Sequence, residues 1–117
     1  MKSAAIFGCG AAGKRACLQL KSKYRIVTFL DNNRRERGSR LFGVPVQDPE
    51  SYDYRQVDHV FIASVYLDEI LVQLLALGVP PSKIEDMAGE ILVQESPNWP
   101  AFNALRRALY VPFRFLR

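Results

Sequence analysis

Three glycines, Gly8, Gly10 and Gly13, stand in the stretch IFGCGAAGKR at residues 6 to 15, after a short apolar run and before a segment of helical character. Their type and spacing suit the capture of a phosphate. In that chemistry Gly8 permits a tight turn out of a strand, Gly10 lets the backbone approach a pyrophosphate, and Gly13 lets a helix pack closely on a sheet. Unpaired amides at the helix start, around Ala11 and Ala12, then hold the phosphate oxygens with help from the helix dipole. The scheme needs an acid at the end of the next strand to accept hydrogen bonds from ribose hydroxyls. Asp31, followed by Asn32, stands 18 residues past Gly13, at the distance that pattern asks for.

These residues work only if strands and helices hold them, and the flanking sequence supplies both. SAAIFG at residues 3 to 8 is a continuous apolar run of strand length, as in a buried parallel strand. Ala11 to Ser22 reads as an amphipathic helix carrying Ala12, Ala16, Leu18 and Leu20 among basic residues, and YRIVTFLD at residues 24 to 31 reads as a second strand. A right-handed crossover makes these two strands parallel. Residues 32 to 40 read as a loop. A short strand follows around Val44 to Val46, where Pro45 argues for an edge. QVDHVFIASV at residues 56 to 65 is the next strand. Leu67 to Leu77 forms a helix with Asp68 and Glu69 in its first turn, Gly78 stops it, and KIEDM at residues 83 to 87 gives a short last strand. The alternation predicts an α/β fold: a Rossmann-like, three-layer α/β/α domain on a mostly parallel sheet of about five strands.

SPNWP at residues 96 to 100 separates this body from a terminal segment. The expected division is a nucleotide-binding domain at 1–95, then a proline-containing linker and basic amphipathic tail at 96–117. Residues 1 to 100 balance 12 Lys/Arg against 12 Asp/Glu, so the net charge of +4 resides in Arg106, Arg107, Arg114 and Arg117. That distribution argues against nucleic acid as a partner and leaves a local anion-attracting surface open. The tail's arginines, with Trp99, Phe102, Tyr110, Phe113 and Phe115, are of the type that touches anionic membrane surfaces, but one short helix broken by Pro112 gives little affinity. Packing on the body or on a second subunit, and so a homo-oligomer, is the other use. With 49% hydrophobic residues and no apolar run of membrane-spanning length, a cytoplasmic globular domain is expected, membrane-associated only if the tail docks. Cys9 and Cys17 supply neither a disulfide framework nor a metal set.

Other candidates weigh less. Arg34 and Arg35 could accommodate a 2′-phosphate, but Asp31 would repel it, which favours NAD over NADP; Arg34, Arg35, Arg37 and Arg40 otherwise read as a solvated loop. Ser64 and Tyr66, at the carboxyl end of a strand, are placed to line the far half of a dinucleotide site, with Ser64 equally suited to capping the following helix. His59, the only histidine, reads as structural because no acid or nucleophile is suggested beside it. Cys9 reads as a small residue that the loop tolerates, not as a redox sensor.

IFGCGAAGKR, TFLDNN, GSRLFGVPV and HVFIAS followed by LVQLLALGV together resemble the N-terminal nucleotide-binding domain of bacterial polysaccharide-biosynthesis proteins, a group similar to the nucleotide-sugar dehydratase/epimerase family. The resemblance spans about residues 3 to 87. It implies a nucleotide-containing small molecule, NAD(P) or a nucleotide sugar, held by Gly8, Gly10, Gly13 and Asp31. Related domains precede sugar acyltransferases and some methyltransferases. Dehydratases of that group carry a Tyr-x-x-x-Lys pair, and no tyrosine here is followed by lysine four residues later. Catalytic residues are therefore unassigned, and a module serving a partner enzyme stands beside the enzyme reading.

Overall fold

The computed structural model describes residues 1–87; the 96–100 boundary and the tail lie outside them. Six strands, two α-helices and three short 3₁₀ turns follow one another: β1 (Ser3–Phe7), α1 (Ala11–Leu20), β2 (Arg25–Leu30), β3 (Arg40–Leu41), β4 (Val44–Gln47), β5 (His59–Ile62), α2 (Leu67–Ala76) and β6 (Ile84–Asp86), with turns at Arg34–Glu36, Tyr54–Gln56 and Pro81–Lys83. The sheet order is β3-β4-β2-β1-β5-β6, and every neighbouring pair is parallel except β3 with β4.

Strand β1 lies at the centre because its five residues are all buried and it has something to cover on both faces. Ala4 and Ile6 join Phe29, Phe61 and the α1 residues Ala16, Cys17 and Leu20 on one side of the sheet. Ala5 and Phe7 join Leu30, Val60, Ile62 and the α2 residues Leu67, Ile70 and Leu74 on the other. This is the α/β/α layering expected. Complete burial of Ile6, Phe29, Leu30 and Ile62 contributes about 1.5–3 kcal/mol for each side chain, so the sheet centre, more than helix propensity, anchors the fold.

Two details depart from expectation. The sheet has six strands because Arg40 and Leu41, read as the end of a loop and the start of the next segment, pair with Pro45 and Val44 in a short antiparallel hairpin. Pro45 is therefore not at the outermost edge. Its strand tolerates the missing N–H because the ladder to β2 begins only at Val46, while the Pro45 carbonyl accepts the Thr28 hydroxyl at 3.0 Å. In α1 the buried stripe is Gly13, Ala16, Cys17 and Leu20, and Leu18, expected among the apolar positions, is 53% exposed.

Candidate functional site

The chain leaves β1 to one side of the sheet, through β2 and β4, then returns to pair β5 on the other side of β1. The loops after β1 and β5 thus diverge at the carboxyl end of the sheet, the place where open α/β sheets hold their ligands. A cleft of about 700 Å³ opens there, within the range of small-molecule sites. It is lined by Gly8, Cys9, Gly10, Ala11 and Ala12 from the first loop and helix start, by Asp31 and Asn32 after β2, and by Ser64, Tyr66 and Glu69 after β5. Of the sequence-predicted site residues only Gly13 is not in its wall.

The three glycines have different reasons to be glycine. Gly8 has φ +116, a region that L side chains rarely adopt, and a Cβ there would stand 2.5 Å from the Ala63 carbonyl oxygen. Its N–H donates to the Leu30 carbonyl at 2.7 Å, which binds the turn to β2. Gly13 is buried in the first turn of α1, and a Cβ on it would overlap the Gly8 carbonyl. These two residues bring helix, turn and β5 together. Gly10, the residue capping α1, is extended at φ −78, ψ −158 and makes no side-chain cap. Nothing lies within 4 Å of a Cβ built on it. Packing does not demand a glycine at position 10; what its absent side chain leaves is open space at a helix start.

The helix start itself is bare. The first α1 ladder bond within reach of the cap runs from the Lys14 N–H to the Gly10 carbonyl, so the N–H groups of Ala11, Ala12 and Gly13 have no carbonyl partner in the helix. The first turn of α1 contains no acid. The facing helix is arranged in the opposite way: α2 carries Asp68 and Glu69 in its first turn, which satisfy its dipole internally. An anionic group in the cleft is thereby directed to α1. The open cap, the unpartnered amides and the neighbouring carboxylate fit a pyrophosphate linked to a ribose.

Asp31 is half-buried and fixed. Its Oδ2 accepts the Cys9 N–H at 3.1 Å and the Cys9 thiol at 3.0 Å, while Oδ1 accepts the Asn33 N–H at 2.8 Å. Burial, then the hydrogen bond to Asp31 and the negative charges of Asp31 and Glu36, push the Cys9 thiol up to about 12. It stays protonated and is a donor, not a nucleophile. Asn32 lines the cleft, but its amide is engaged in a reciprocal pair with Gln73 of α2, at 2.8 and 2.9 Å, and Gln73 also reaches Glu50 at 3.2 Å. This clasp ties the end of β2 to α2.

Ser64 does not cap α2. Its hydroxyl accepts the Tyr66 N–H at 3.1 Å, a local turn that leaves Tyr66 as the capping residue without a side-chain bond. Arg37 is paired with Asp48 at 3.3 Å, and Arg34 and Arg35 are exposed beyond Asp31. His59 begins β5 opposite Ala4, at the far end of the strand from the cleft, against the rings of Tyr24 and Phe61 at 5.4 and 5.9 Å. Its place is structural. Glu69 is the cleft residue that sequence reasoning read only as a helix-dipole partner; its one available signal was its position two residues into a helix that starts at a strand's carboxyl end.

A doubly wound parallel sheet with a glycine turn at its switch point defines a Rossmann-like domain. Residues 1–85 match the family described as C2185-like, N-terminal, and the chain belongs to that family. No curated protein sequence matches it significantly. Among solved structures it is similar to UDP-D-quinovosamine 4-dehydrogenase from Vibrio fischeri, with a TM-score of 0.54 and 20% identity over 73% of this chain and 75% of that one. It is also similar to RSP, a Rex-family repressor, with a TM-score of 0.61 and 16% identity over 92% of this chain and 63% of the repressor. The structure of RSP in complex with β-NADH gives 0.57 and 17% over 93% and 64%. At these identities the likeness establishes the fold.

Proposed function

We propose that the domain binds a nicotinamide dinucleotide, NAD in preference to NADP, with the pyrophosphate on the α1 start and the adenosine ribose on Asp31, as part of a cytoplasmic protein of nucleotide-sugar or surface-polysaccharide synthesis. The observation that carries this is Gly10: open space at an uncapped, acid-free helix start, in a cleft that also holds a fixed carboxylate. One structural neighbour is a dehydrogenase of a UDP-sugar and another holds β-NADH, which supports the dinucleotide and, through the first, the saccharide setting. The polysaccharide assignment itself rests on the sequence resemblance.

A second reading is a sensing or partner-serving module with no chemistry of its own. Among the described residues the cleft wall contains no Tyr-x-x-x-Lys pair of the kind the resembling dehydratases carry, which favours it for this stretch of chain. Calorimetric titration with NAD, NADP and UDP-N-acetylglucosamine separates these ligands. The expected result is saturable NAD binding that Gly10→Val weakens by about 100-fold or more, with an unchanged circular-dichroism melt, because the valine occupies the pyrophosphate's space. Full affinity in that variant would sink the assignment, and silence from all three ligands would leave the cleft without a nucleotide role.

A further inference from the structure

The dinucleotide reading gives Cys9, a side chain of the cleft wall, no part. Cys9 lies between two glycines of the turn, 8% exposed, and packs within the α1-side core with Ala16, Phe61 and Ala63. From there its thiol reaches Asp31 Oδ2 at 3.0 Å. The two other donors to that carboxylate, the N–H groups of Cys9 and Asn33, belong to the backbone and persist whatever residue occupies position 9. The thiol is thus the one contact to Asp31 that the identity of residue 9 decides, and Asp31 lines the cleft in which a guest would sit. Because burial and the neighbouring carboxylates keep it protonated, the donor is present at any working pH.

We propose that Cys9 is a positioning residue that sets ligand specificity: its thiol pins Asp31 so that the carboxylate meets a ribose hydroxyl and cannot turn aside for a 2′-phosphate. The inference rests on the dinucleotide reading. A pinned carboxylate has its orientation settled before the ligand arrives, which removes an ordering cost from binding. Without the thiol the carboxylate keeps one backbone bond to each oxygen, but its Oδ2 is held more loosely and loses part of its hold on the 2′-hydroxyl of NAD. The loosened oxygen can also shift away from the phosphate of NADP, relieving part of a like-charge repulsion that otherwise disfavours that ligand. Both effects move the preference the same way, whereas a general loosening of the turn weakens both dinucleotides together.

The test compares dissociation constants for NAD and NADP in the full chain, in Cys9→Ala and in Cys9→Ser. Alanine removes the donor and serine restores one, so the expected NAD-over-NADP preference falls by about tenfold in Cys9→Ala, on the order of one charge-assisted hydrogen bond, and recovers in large part in Cys9→Ser. A preference unchanged in Cys9→Ala, with both affinities falling in step, overturns the inference while leaving the dinucleotide reading intact. Should the alanine variant fail to fold, Cys9→Val, which also lacks a donor, takes its place with the same expected fall in preference, and an unchanged preference there or a Cys9→Ser preference lowered by about tenfold overturns the donor role. Wild-type protein that binds neither dinucleotide overturns the parent reading and this inference with it.

Discussion

Helices α1 and α2 each have ten residues, each follows a parallel strand and each starts at the same cleft, yet one start carries acids and the other none. At α2 the first turn brings Asp68 and Glu69, and Ser64 ties down the Tyr66 N–H. At α1 the cap is Gly10, the first turn has no acid, and the whole stretch from Met1 to Leu30 carries Lys2, Lys14, Arg15, Lys21, Lys23 and Arg25 without an Asp or Glu. Neither helix has a side-chain cap; a first-turn acid adds about 0.3–1 kcal/mol, which α2 has and α1 forgoes. The difference shows where an anion would meet the least repulsion in the cleft, at the start of α1 and not of α2.

The most severe way to break that contrast is at Gly13. Gly13→Ala drives a methyl group into the Gly8 carbonyl and should cost about 3 kcal/mol or more of folding stability, read from urea unfolding. A melt equal to wild type would mean that α1 is not held against the turn as described. Ala11→Asp sharpens the contrast instead. The position is exposed, so the acid should raise stability by about 0.3–1 kcal/mol through the dipole while weakening dinucleotide binding by about tenfold or more through repulsion of the pyrophosphate. Stability and affinity moving in the same direction would show that the anion does not sit at α1.

The smallest effect lies in pH. The Cys9 thiol titrates near 12 in the fold and near its ordinary 9 when unfolded, so the folded state favours the neutral form. Its contribution is complete below pH 9 and drains away as pH rises from 9 towards 12. Cys17 shifts in the same direction and is common to both proteins when wild type is compared with Cys9→Ser. The stability advantage of wild type over that variant should therefore narrow as pH rises above about 9, measured by urea unfolding; a constant gap would argue against a buried, neutral Cys9.

The two helix starts differ also in how visible they were. The β1–turn–α1–β2 unit was legible because its determinants are local: apolar run, glycines and an acid lie within the first 31 residues, and each has a separate steric or hydrogen-bonding task. The α1 stripe was partly legible, since Gly13, Ala16, Cys17 and Leu20 fall at helical spacing while Leu18 is out of phase with them and faces solvent. β3 was not legible, because two residues carry no periodicity and Arg40–Leu41 becomes a strand only by pairing with β4. Nor was the Asn32–Gln73 clasp, which joins side chains 41 positions apart with nothing in either neighbourhood to announce it. The thiol contact between Cys9 and Asp31 was hidden for the same reason: it depends on two strand ends meeting across the sheet, not on either motif alone.

The unequal constraints on the three glycines carry a consequence for descent. Gly8 and Gly13 are held by backbone contacts that any daughter fold must keep, whereas no packing contact holds Gly10, and on the dinucleotide reading proposed above its ligand alone would do so. A lineage of this domain that surrendered its ligand would go on displaying the outer glycines for as long as it folded, while the middle one drifted to whatever residue mutation supplied. The middle glycine is thus the residue by which working and retired members of such a lineage are told apart.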